Sequence, residues 1–101
     1  MKAQERVAEF FAEHDLEGEP AYQILDLASE VGELAKDVND STDYGASPEA
    51  LDVKTDELGD ALFALLAVAE SLDVDADEAL DEALAKYRTR IEETGDPGSG
   101  E

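Results

Sequence analysis

Residues 20–39 carry an apolar stripe, Ile24, Leu27, Ala28, Val31, Leu34, Ala35 and Val38, recurring at i, i+3, i+4 and i+7. Of the regular structures, an α-helix is the one that puts those positions on a single face. Beside it runs a second stripe, Asp26, Glu30, Glu33 and Asp37, that is wholly acidic. A helix of this kind buries its apolar edge against a neighbour and holds its acids at the rim of that contact. Pro20 suits the first turn of such a helix. The neighbour is expected from the same chain. Residues 48–72 read as a helix with Leu51, Leu58, Leu62, Leu65, Ala69 and Leu72 as its seam, opened by Ser47 as N-cap and Pro48 at the first helical position. Its residues 61–69 are apolar all round, which predicts burial on every side.

Two further helices complete the pattern. Residues 3–14 place Ala3, Val7, Phe10 and Phe11 at helical spacing before Gly18-Glu19-Pro20 breaks the run, and residues 76–93 turn Leu80, Ala83, Leu84, Tyr87 and Ile91 inward. Residues 39–47 are rich in turn formers and read as a loop. His14, the one histidine, is assigned no role. The expected fold is all-α, a four-helix bundle forming a single domain over residues 1–93, with residues 94–101 as a flexible tail. A chain of 101 residues with three phenylalanines and three tyrosines builds a thin core. Three short helices hardly enclose residues 61–69, so completion of the bundle by oligomerisation is expected.

The formal charge of -21, from 28 acids against seven lysines and arginines, argues against binding duplex nucleic acid or an anionic membrane surface. The longest apolar run is nine residues, far short of the ~20 needed to span a bilayer. The N-terminus turns charged at once, unlike a signal peptide. With no cysteine there is neither a disulfide nor a thiolate metal site, and a cytoplasmic location is expected. Acids spread through every segment resemble the surface of a protein adapted to molar salt, where a Debye length of about 3 Å screens self-repulsion.

Within the two central helices stand Glu30-Val31-Gly32-Glu33 and Glu57-Leu58-Gly59-Asp60. Each sets two carboxylates three residues apart, on one helical face. This composition produces roughly eight acid-x-x-acid pairs by chance, so the pairs alone carry little. Their surroundings carry more. Both abut apolar stripes, where unpaired carboxylates are costly without a cation. Both enclose a glycine that costs about 1 kcal/mol in a helix interior, which points to close approach by a facing helix or a ligand. Both fall on consecutive helices that a short loop makes antiparallel, so four carboxylates are expected to converge. All-oxygen ligands select hard cations, Mg²⁺ or Mn²⁺, and such a centre with open positions suits a substrate bearing its own phosphates.

The two motifs resemble the hallmark of the all-α nucleotide pyrophosphohydrolases of the MazG type: Glu-x-x-Glu, a spacer of 23 residues here, then Glu-x-x-Asp. The flanks Val31-Gly32-Glu33-Leu34, residues 57–63 and the closing residues 82–90 are similar as well. The resemblance implies a magnesium site held by Glu30, Glu33, Glu57 and Asp60, with Mn²⁺ as an alternative ion, and hydrolysis of a nucleoside triphosphate to the monophosphate and pyrophosphate. It also implies a homodimer or dimer of dimers and, by family analogy, house-cleaning of noncanonical nucleotides. Many members have a glutamate where this chain has Ser29. Lys54, expected on the same helical face as Glu57, and Lys86 and Arg90 on the last helix are candidate phosphate contacts or structural ion pairs. Asp26 and Asp37, on the same stripe, or a motif acid, are candidates to deprotonate the attacking water. Two other readings stand beside this one: a superfamily relative dedicated to phosphoribosyl-ATP or a pyrimidine triphosphate, and a non-catalytic acidic helical binding module.

Overall fold

The computed structural model describes residues 2–98 and consists of helices without strands among them. The order is α1 (Lys2–Glu13), α2 (Pro20–Thr42), a single 3-10 turn (Pro48–Ala50), α3 (Thr55–Ser71) and α4 (Ala76–Thr94). The all-α, four-helix architecture is the expected one. α3 is its centre, with α2 and α1 packed against it.

Two boundaries differ from expectation, and both matter for the motifs. α2 continues past Asn39 to Thr42 because Ser41 and Thr42 donate their hydroxyls to the carbonyls of Asp37 and Val38, at 2.7 and 2.6 Å. Buried Thr42 then accepts from the Gly45 amide at 3.0 Å, and Asp43 and Tyr44 leave the helix with left-handed φ of 55° and 56°. Pro48 begins a single 3-10 turn rather than the long helix, since Ser47 makes no side-chain cap. The Asp52 amide is engaged across the loop by Ser41 Oγ at 3.0 Å, and α3 starts only at Thr55. Glu57 therefore lies in the first turn of α3. Lys54 stands outside the helix, at its N-cap, with extended backbone.

The core is small. Val7, Leu66 and Ala67 form its centre, packed around by Ala3, Phe11 and Ala76. The Phe63 ring meets Phe10 edge-on and stacks on Phe11, both at 5.8 Å, fixing α1 on α3. α4 is capped by Asp75, whose carboxylate accepts from the Asp77 and Glu78 amides, and it ends at Gly95 with φ 79°.

The expected burial of residues 61–69 holds on one side only. Ala64, Leu66, Ala67 and Val68 are buried, but Leu62, Phe63 and Leu65 are exposed, Leu65 to 50%. The seam of α4 is likewise open, with Leu80 48% exposed and Ile91 49%. The reason is geometric: α4 touches the core at its first turn and does not lie along α2 or α3. The radius of gyration, 16.3 Å, correspondingly exceeds the ~13 Å of a compact chain this long. Beyond α4, Thr94 Oγ1 and Arg90 Nη1 bond back to the carbonyls of Asp96 and Pro97. Residues 99–101 of the expected tail lie outside the described residues. Among the described residues no helix is long and apolar enough to cross a membrane.

Candidate functional site

The acidic edge of α2 faces α3 in antiparallel register. Glu30 and Asp60 line one cavity of about 330 Å³ together with Gln23, Asp26, Ser29, Phe63 and Ala64. One turn further along α2, Glu33 and Asp37 come within electrostatic reach of Glu57. The first acid of one motif thus meets the last acid of the other, and the inner pair also face. Glu30, Asp37 and Glu57 are half-buried, whereas Glu33 and Asp60 are exposed.

The four motif acids are aligned as facing pairs along the helix interface. Among the described residues no three acidic or histidine side chains are gathered tightly enough to enclose an ion, so convergence on a single point is not the arrangement adopted. Like charges that share an interface repel one another, which favours spacing along it over a tight cluster. Glu57 registers that repulsion. It lies in the first turn of α3, where the helix dipole favours a carboxylate. Desolvation at the interface nevertheless pushes its carboxyl above the ordinary range, reinforced by Asp37, Glu33, Asp56 and Asp60.

One atom at this site is anomalous. Asp37 Oδ2 is buried and has no hydrogen-bond partner. Buried carboxylate oxygens rarely go unpaired, because the lost hydration is not replaced.

The cations do not neutralise the cluster. Lys36 is held by Asp40 at 2.9 Å, and its proton affinity is raised by that bond and charge. Among the described residues, Lys54, Lys86 and Arg90 form no ion pair with a motif carboxylate. Lys86 and Arg90 instead lie against the Tyr87 ring, at 5.2 and 5.8 Å from its centre. Nor do the motif glycines serve close packing within this chain: a Cβ at Gly32 or Gly59 would meet nothing within 4 Å. Gly59 borders an open groove whose other wall is formed by Arg6 and Phe10 of α1, neither of them within 4 Å of where its Cβ would stand.

Gln23 lines the candidate site although the motifs do not announce it. It lines both the acidic cavity and a larger one of about 630 Å³ that includes Phe11, Leu16 and Gly18. A signal was present in the sequence, since Gln23 precedes Asp26 by three residues and so extends the acidic stripe by one turn.

Three findings connect this architecture to known proteins. Residues 19–94 match the family model of the MazG nucleotide pyrophosphohydrolase domain. YpjD of Bacillus subtilis (strain 168), an uncharacterized protein, is 40% identical over 75 residues, and the match covers 70% of this chain and 66% of that relative, just under two thirds of its length. The crystal structure of the candidate pyrophosphatase YpjD from Bacillus subtilis superposes with a TM-score of 0.71 at 34% identity, covering 87% of this chain and 91% of that one. The matched region contains both acidic motifs and the helices that carry them. By the extent of that match and the shared fold, this chain belongs to the MazG nucleotide pyrophosphohydrolase family.

Proposed function

We propose that this chain is a Mg²⁺-dependent hydrolase, with Mn²⁺ as an acceptable substitute, that converts a nucleoside triphosphate to the monophosphate and pyrophosphate. The observation that carries the reading is the antiparallel register that sets Glu30 beside Asp60 and Glu33 beside Glu57 along one cavity-bearing interface. The donor chemistry fits the ion: every candidate ligand is a carboxylate, and Asp37 Oδ2 is a buried oxygen in want of a positive partner. Glu30, Glu33, Glu57 and Asp60 would hold the ion, which when bound supplies positive charge to the triphosphate and polarises a phosphoryl oxygen.

The chain's own residues would do the rest. Asp26, on the wall of the cavity one turn before Glu30, accepts a proton from the water that attacks phosphorus. The new bond forms between that water oxygen and the α-phosphorus. The bond to the bridging oxygen breaks, and pyrophosphate leaves with the electron pair. Lys54 at the head of α3, and Lys86 and Arg90 on α4, supply phosphate contacts that offset the acidic field. Residues 1–93 act as one domain, in the cytoplasm and on free nucleotides, and the active form is a homodimer or dimer of dimers.

The test is pyrophosphate release from a panel of ribo- and deoxynucleoside triphosphates, with and without Mg²⁺. Release that requires Mg²⁺ and falls at least about a hundredfold in Glu57→Gln and Asp60→Asn is the expected result. Activity confined to phosphoribosyl-ATP or to pyrimidine triphosphates would move the chain to a dedicated relative. Silence across the whole panel would leave a non-catalytic acidic helical module.

A further inference from the structure

We infer that the cavity of about 630 Å³ between α1, the loop before α2 and α3 holds the base of the nucleotide, that Gln23 reads it, and that the base is adenine or cytosine. The inference rests on the nucleotide reading above and names the substrate class which that reading leaves open. Its starting point is one side chain shared by two cavities: Gln23 lines this one and also the acidic cavity, with Asp26, Glu30 and Asp60. Gln23 precedes Glu30 by seven residues on α2, about 10 Å along the helix axis. A phosphate held at the acids thus leaves room for a sugar before the base reaches Gln23. The chain also fixes where the amide lies. A Cβ on Gly18 would fall on the Gln23 side-chain amide, so only glycine there leaves that amide in place. The main-chain N–H of Gln23 donates to the Glu19 carbonyl at 3.0 Å, but among the described residues its half-buried side chain makes no hydrogen bond. The amide is seated by contact and keeps its donor and its acceptor for a ligand.

The remaining walls suit a flat ring with amino donors at its edge. Phe11, Leu16 and Ala67 give apolar surface, while Glu17 and Glu19 present carboxylates that, when ionised, accept hydrogen bonds and donate none. A glutamine amide pairs two-pronged with an exocyclic amino group and the ring nitrogen beside it, the face that adenine and cytosine offer. Turned over, the same amide would serve uracil. The carboxylates decide between them: the carbonyls of uracil would stand against like acceptors, whereas an amino group donates to them.

The test is steady-state pyrophosphate release with Mg²⁺ from ATP, CTP and UTP, by wild type, Gln23→Ala, Gln23→Leu and Gly18→Ala, with inorganic tripolyphosphate as a competitor that has no base. CTP and UTP are the decisive pair, since they differ only at the edge in question. Wild type should favour ATP and CTP over UTP by about tenfold or more in kcat/KM, a comparison that needs no variant to fold. Gln23→Leu, which keeps most of the bulk and loses both hydrogen-bonding groups, and Gln23→Ala should raise KM for CTP by about tenfold with a smaller change in kcat, and should narrow the CTP/UTP ratio. Inhibition by tripolyphosphate should stay at the wild-type value in both. Gly18→Ala should narrow the ratio in the same direction, because its methyl group displaces the amide from a position outside the acidic motifs. No preference for CTP over UTP in wild type, a ratio unchanged in both Gln23 variants, or tripolyphosphate inhibition lost in step with the rise in KM overturns the inference while leaving the hydrolase reading standing. Wild-type protein that releases no pyrophosphate from any of the three overturns both.

Discussion

Gln4, in the first turn of α1, closes on the head of α4: its side-chain oxygen accepts from the Ala76 amide at 2.7 Å. Its side-chain nitrogen donates to the Val74 carbonyl at 2.7 Å and to Glu70 at 3.0 Å. Gln4 is one of two buried polar side chains among the described residues, and it spends its whole amide on joining the two ends of the fold. Replacing it with alanine strands the Ala76 amide and the Val74 carbonyl. Gln4→Ala should therefore lower unfolding stability by about 1–3 kcal/mol in chemical denaturation. The loss should come without change in the pairing of α2 with α3, because Gln4 contacts neither motif.

Acidification should stabilise the metal-free protein through Glu57. Its carboxyl binds a proton more tightly in the folded chain than in the unfolded one. The penalty for ionising it is absent at acid pH, where both states are protonated. It develops as pH rises through the ordinary glutamate range and is complete above the folded value. Metal-free melting temperature should thus fall as pH is raised from about 4 to 7. Glu57→Gln should flatten part of that fall, and Mg²⁺ at neutral pH should recover what deprotonation removed. A pH profile identical in wild type and Glu57→Gln would contradict this account.

Gly32→Ala should stabilise the isolated chain. A methyl group there meets open space, so the substitution relieves the backbone entropy cost of a mid-helix glycine, about 0.5–1 kcal/mol, without a clash. Thermal melts in dilute solution measure the gain. A loss of stability instead would mean that a facing surface outside the single chain closes on Gly32.

The exposed seam of α3 and α4 should be covered by a second copy. Leu62, Leu65, Leu72 and Leu80 border an almost wholly apolar hollow of about 400 Å³. With -21 charges per chain, association should strengthen as salt screens repulsion. Sedimentation should give a dimer or larger species in high salt, and Leu80→Glu should weaken it by about thirtyfold or more. A wild-type monomer at all salt concentrations would remove oligomerisation from this picture.

Much of the fold was legible because apolar spacing maps directly onto helical faces. The stripe from Ile24 to Val38 located α2 and Pro20 its start, and the spacing from Leu80 to Ile91 located α4. The boundary between α2 and α3 was not legible, because it depends on where side chains spend their hydrogen bonds. Ser41 and Thr42 look like loop formers until they bond back to α2, and Ser47-Pro48 looks like a helix start until Ser41 takes the Asp52 amide. That shift moved Glu57 from a helix interior to a first turn and took Lys54 off the helix.

By itself the sequence determined that four helices form, that two adjacent ones carry matched acid pairs, and that the family is that of the MazG pyrophosphohydrolases, because periodicity and motif spacing are properties of the chain alone. Tertiary structure decided the rest. The register that sets Glu30 by Asp60 and Glu33 by Glu57, the burial of Asp37 Oδ2 and the departure of α4 from the bundle all depend on how helices pack. So does the open space at Gly32 and Gly59, where a helix-interior cost had implied close packing. Such relations join residues far apart in sequence, and no local pattern encodes the distance between them.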